Sequence, residues 1–123
     1  MAGRSAKGAS AYHAGAAAED SAARAYAAKG YAVAERRWRG QGGEIDLILR
    51  GEGLVVFAEV KQSASFEAAA ASLGAAQMGR IMTAAAEFLD GEPAGSLTEC
   101  RFDAVLVDGT GAVQILENAF GHG

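Results

Sequence analysis

The amino-acid sequence predicts an α/β fold, with helices packed around a mixed central sheet in the order α-β-β-β-α-β-β. Three observations carry that expectation. An Ala-rich helical segment comes early, three short apolar segments follow in succession between glycine breaks, and after a second helical stretch two strand-like segments flank an Asp-Gly-Thr-Gly turn. With 123 residues and no repeat or linker, the chain is expected to form one domain over residues 16–120, between a disordered tail at 1–15 and a short one at 121–123.

The first helix is expected from Ala16 to Lys29, with Ala22 and Tyr26 on its contact face, because alanine is the best helix former and Gly30 suits a left-handed C-terminal cap. Tyr31 to Arg39 alternates loosely, with Tyr31 and Val33 on one side and Ala32, Ala34 and Trp38 on the other. Gly40, Gln41, Gly42 and Gly43 break it. In the second strand, Glu44 to Arg50, alternation puts Ile45, Leu47 and Leu49 on one face and Glu44, Asp46 and Ile48 on the other. Gly51, Glu52 and Gly53 turn the chain into Leu54 to Gln62, so apolar before Glu59 that it reads as a central strand buried on both faces. A loop from Ser63 through Phe66 leads to a helix from Ser72 or Leu73, carrying Met78, Ile81, Met82, Ala85 and Leu89 at helical spacing and ended by Gly91 and Pro93. A hairpin of Glu99–Val107 with Val113–Glu117 completes the sheet.

Composition narrows the function. The apolar fraction is 50%, but 30 of those residues are Ala, leaving enough large side chains for one core. No apolar run approaches the roughly 20 residues of a membrane span and no signal-peptide pattern is readable, so no membrane partner and a cytoplasmic location are expected. A single cysteine, Cys100, rules out an intrachain disulfide; in its strand it reads as a small core side chain, and no Cys/His cluster has zinc spacing. The net charge of -4 is uneven: residues 1–39 carry seven Lys or Arg against three acids, and residues 40–123 four against twelve. A polyanion would approach the basic N-terminal side.

One constellation could do chemistry. Asp46 lies in one apolar strand, and Glu59 and Lys61 lie at the polar end of the next, across a short turn that makes the strands antiparallel neighbours. Where the register sets Asp46 across from Glu59, two carboxylates come within reach of one divalent cation. Mg²⁺ accepts one or two carboxylates and leaves room for phosphate oxygens. Lys61 would then hold the attacking water or balance phosphate charge, the outline of a phosphodiesterase. The same residues also suit an ordinary cross-strand salt bridge to Lys61.

The stretch KGYAVAERRWRGQGGEIDLI, then VFAEVK, CRFDAVLVDG and a final ENAF, resembles the bacterial YraN-like family of small endonuclease-like proteins over about Gly15 to Phe120. That resemblance implies a restriction-endonuclease-like sandwich of the PD-(D/E)XK superfamily, similar to Holliday junction resolvases and the tRNA-intron endonuclease domain. It also implies Asp46 and Glu59 as ligands of Mg²⁺ or Mn²⁺, Lys61 as the catalytic lysine and Glu19 as an additional glutamate near the metal. Without it, Glu19 reads as a first-turn helix acid. Two positions depart from the family pattern: Ala18 stands where Gly is usual, and Gln77 where Lys is usual, with Arg80 retained.

Arg36, Arg37 and Arg39 form the basic cluster expected, with Gln77 and Arg80, to contact a nucleic-acid backbone, while Trp38 between them is read as a core residue. Glu44 is expected to pair with an arginine and Asp103 to have a structural role; His13 and His122 receive none. Two functions follow. The first is a metal-dependent endonuclease, with DNA, branched DNA included, favoured over RNA; a two-fold junction would suit a homodimer. The alternative is an inactive nuclease-fold adaptor that binds nucleic acid or a protein.

Overall fold

The computed structural model describes the backbone of residues 2–120 and side chains from Gly15 onward. The elements are α1 (Ala2–Ala28), β1 (Ala32–Arg39), β2 (Glu44–Gly51), β3 (Leu54–Gln62), α2 (Phe66–Ala71), α3 (Ala75–Leu89), a 3₁₀ turn (Gly95–Leu97), β4 (Cys100–Val107) and β5 (Val113–Leu116). Helix α1 begins before the expected Ala16, alanines recurring throughout that stretch. His13, His122 and the expected tails fall outside the residues whose side chains are described.

The strands form one sheet in the order β1-β2-β3-β4-β5. All neighbours are antiparallel except β3 and β4, whose parallel pairing requires the crossover that α2 and α3 supply. Helix α1 covers one face, where Ala18, Ala22 and Tyr26 pack with Leu47, Leu49, Val56, Ala58, Val105 and Val107. On the other face Ile81, Ala84, Ala85 and Leu89 of α3 pack with Ile45, Ile48, Val55 and Phe57. Strand β3 is therefore buried on both sides, as its apolar run requires.

Two glycines do identifiable work. At the end of α1, Gly30 takes φ 91°, its N–H donates to Ala27 O and that of Tyr31 to Tyr26 O, the pairing of a Schellman cap, while the two tyrosine rings meet edge to face at 5.7 Å. At Gly51, a Cβ would lie 2.4 Å from Tyr31 Cδ1. Gly51→Ala should destabilise the protein by about 1–3 kcal/mol through this overpacking, measured by urea denaturation. An unchanged midpoint would show that the tyrosine yields at no cost.

Four expectations need correction. The segment after Ser63 is a helix, α2, because Ser65 accepts the Ala68 N–H at its N-terminus and a run of alanines follows; α3 then starts at Ala75 rather than at Ser72 or Leu73. Ile45 packs on the α3 face with Ile48, not with Leu47 and Leu49. The β1–β2 register shifts between Val33 and Glu35, and Arg37 takes a left-handed conformation (φ 50°), so simple alternation along β1 is interrupted. Cys100 is exposed because it opens β4 before the strand enters the core.

Candidate metal centre and nucleic-acid face

The two-residue turn at Glu52 and Gly53 fixes the β2–β3 register, which runs to Leu47 opposite Ala58. The next step sets Asp46 beside Glu59. There the ladder ends, and Asp46 Oδ2 accepts the Val60 N–H at 2.8 Å instead. Glu59 is the last buried residue of β3, only 3% exposed. Asp46 is close enough to act electrostatically on its carboxyl. From the same strand Lys61 brings Nζ to 3.4 Å from Glu59 Oε2, and from the start of α3 Gln77 donates Nε2–H to the same oxygen.

Burial first, then the hydrogen bond and repulsion from Asp46, push the Glu59 pKa up to about 8; Lys61 opposes this without cancelling it. On α1, Glu19 is also buried, with Arg37 Nε 3.1 Å from Oε1. Burial raises its pKa, Arg37 pulls the other way, and Asp46 adds repulsion. Asp46 thus acts on both other acids. Among the described residues no three His, Cys, Asp or Glu groups already close into a metal cage, since Glu19 faces Arg37.

The donor set nonetheless fits a hard cation. Its candidate donors are carboxylate oxygens, the ligand type that hard cations take. The folded protein binds more protons than the unfolded chain between about pH 4.5 and 8, so cation-free stability should fall as pH rises through that window and be fully present below it. At about 1.4 kcal/mol per pH unit the loss is at most about 4–5 kcal/mol. Glu59→Gln should therefore match wild type near pH 5 and exceed it by about 2–4 kcal/mol at pH 8 in urea titrations with EDTA. Equal stabilities at pH 8 would contradict it.

The model of a family described as "Uncharacterised protein family UPF0102" matches residues 18–107. A UPF0102 protein of Ruegeria pomeroyi is 62% identical over 110 residues, covering 89% of this chain and 89% of that protein. Another, from Roseobacter denitrificans, is 57% identical over 113 residues, covering 92% and 88%.

The chain belongs to the UPF0102 family.

The YraN-like family of the sequence resemblance is this same family. Glu19, Asp46, Glu59, Lys61, Gln77 and Arg80 all lie inside the span that the UPF0102 model matches. The structure brings Asp46, Glu59, Lys61 and Gln77 together at the end of β3, while Glu19 on α1 pairs with Arg37. Gln77, grouped by sequence with the residues facing a nucleic-acid backbone, instead holds Glu59. Arg80 is exposed on α3, its Cβ against the Gly43 position of the glycine loop.

Each arginine of β1 meets an acid: Arg36 and Asp20 at 2.8 Å, Arg37 and Glu19 at 3.1 Å, Arg39 and Glu44 at 3.1 Å. Trp38 packs edge to face on Phe88, in the core as its side of the strand predicts. A groove of about 580 Å³ beside Trp38 and Phe88 contains neither Asp46 nor Glu59 in its lining. Sequence reasoning missed Glu87. Its carboxylate accepts the Gln41 and Gly42 N–H groups, both at 2.7 Å, and so ties the glycine loop to α3. A lone acid on an amphipathic helix gave no signal of that task.

Proposed function

We propose that this protein is a divalent-metal-dependent endonuclease that hydrolyses phosphodiester bonds, with DNA, including branched DNA, favoured over RNA. The observation that carries the reading is Asp46, half-buried, beside the buried Glu59, with Lys61 Nζ 3.4 Å from Glu59. A salt bridge would need one acid; two at adjoining strand positions, one of them raised in pKa by burial, are hard to account for by structure alone.

Asp46 and Glu59 would hold Mg²⁺ or Mn²⁺, with Glu19 close by. A cation there supplies Lewis-acid charge to a phosphodiester. Asp46 is held in place by the Val60 N–H and Glu59 by Gln77, so neither must find its orientation when substrate arrives. Lys61 can position water or neutralise a phosphate oxygen, and Arg36, Arg37, Arg39 and Arg80 would contact the phosphate backbone.

The test is incubation of purified protein with linear, single-stranded and four-way-junction DNA, and matching RNA, in Mg²⁺ or Mn²⁺. Cleavage of at least one substrate, stopped by EDTA, is expected. Binding that weakens steeply with salt but never leads to cleavage would favour the adaptor and sink the enzyme.

A further inference from the structure

The glycine loop between β1 and β2 is shaped to lie flat on α3. A Cβ at Gly40 would come within 2.7 Å of Glu87 Oε1, one at Gly42 within 2.5 Å of Thr83 Cγ2, and one at Gly43 within 3.2 Å of Arg80 Cβ. Arg80, Thr83 and Glu87 follow one another at helical spacing, so the loop rests along a single stripe of α3. Glu87 completes the seat: its two carboxylate oxygens each accept one N–H, from Gln41 and Gly42, both at 2.7 Å. Hydrogen bonds to an ionised carboxylate are roughly twice as strong as those between neutral groups.

Asp46 depends on that seat more than the rest of β2 does. The β2–β3 ladder stops at Leu47 and Ala58, so the residues ahead of it are paired on the β1 side alone, through Trp38–Ile45 and Arg39–Glu44, and β1 then runs straight into the glycine loop. At its other end β2 has a partner on each side, Arg50 pairing with both Ala32 and Val55. Helix α3 also holds Glu59, through Gln77. We propose that Glu87 is a positioning residue for the cation site: by seating the glycine loop on α3 it fixes Asp46 relative to Glu59, so that one helix places both acids. Glu87 itself touches neither cation nor substrate. The inference rests on the reading of Asp46 and Glu59 as cation ligands and adds what holds them in register.

Calorimetric titration with Mn²⁺ at pH 8, under conditions where urea denaturation shows each variant folded, tests it without cleavage. In Glu87→Gln one oxygen can still accept, but the amide NH₂ turns a donor toward the other loop N–H. Mn²⁺ should then bind roughly 10-fold more weakly than to wild type, the low end of what outer partners of metal ligands cost. Gly42→Ala, which lifts the loop off Thr83 by a different route, should weaken binding to a similar extent. The double variant should be little worse than either single one, because both break the same seat. Glu92→Gln separates positioning from stability: it disrupts the Arg50–Glu92 pair at the doubly paired end of β2 and should leave Mn²⁺ affinity unchanged. Wild-type affinity in Glu87→Gln, or an equal loss in Glu92→Gln, would make Glu87 an ordinary structural contact and overturn the inference while leaving the cation site standing. Absence of saturable Mn²⁺ binding by wild type would overturn both.

Discussion

Asp46→Ala or Glu59→Ala is expected to lower cation-dependent cleavage by at least about 10³-fold, close to 4 kcal/mol of lost transition-state stabilisation. Each acid is one of the two that meet at the ends of β2 and β3, and the remaining carboxylate would have to hold the cation alone. The double variant should be scarcely worse than either single one, because residues that act as a unit lose their effect together. Lys61→Ala should cost roughly 10²–10⁴, the range of a positioned proton-transfer or water-orienting group. Wild-type activity at low cation concentration should climb as pH rises toward 8, because protons then compete less for Glu59. Rates are read from single-turnover cleavage of a labelled substrate. Variants that cut as well as wild type would show the activity to be a contaminant.

Asp103→Ala is expected to destabilise the fold by about 3–5 kcal/mol, by a route unrelated to catalysis. Asp103 has no solvent exposure and accepts from Tyr26 OH at 2.7 Å, from Arg101 Nε and Nη2 at 2.8 and 2.9 Å and from the Asn118 N–H at 3.0 Å. This one carboxylate ties α1 to β4 and to the segment after β5. Its removal leaves a buried hydroxyl and a nearly buried guanidinium without their acceptor, which costs more than the lost bonds themselves. Tyr26→Phe, which gives up a single bond in a packed place, should cost only about 1 kcal/mol. Urea denaturation decides: an Asp103→Ala loss below about 1 kcal/mol would mean that water replaces the carboxylate.

Much of this was legible before any coordinates, for reasons that lie in particular residues. Tyr26, Gly30 and Tyr31 encode their own cap locally, and Glu52–Gly53 between apolar segments specifies a tight turn, so both could be read from sequence. That turn in turn fixed the β2–β3 register and hence the meeting of Asp46 with Glu59. What stayed hidden depends on partners far along the chain. Gln77 meets Glu59 across 18 residues and Glu87 meets the glycine loop across more than 40, and neither leaves a periodic trace. The inversion at Arg37 escaped because an arginine carries no sign of positive φ as glycine would. The arginine cluster was visible as charge, but its pairing with Asp20, Glu19 and Glu44 was not, since two of those acids belong to a helix packed on the sheet.

Cleavage can fail for want of the right substrate, whereas cation binding does not depend on that choice. Calorimetric titration of metal-free protein with Mn²⁺ at pH 8 therefore tests the acid pair most directly, with Asp46→Ala run in parallel. Saturable binding by wild type is predicted, with a heat that varies with the buffer's ionisation enthalpy because Glu59 gives up its proton, and no saturable binding by the variant. Equal titrations for the two proteins, or no saturable heat for either, would contradict a cation site at Asp46 and Glu59.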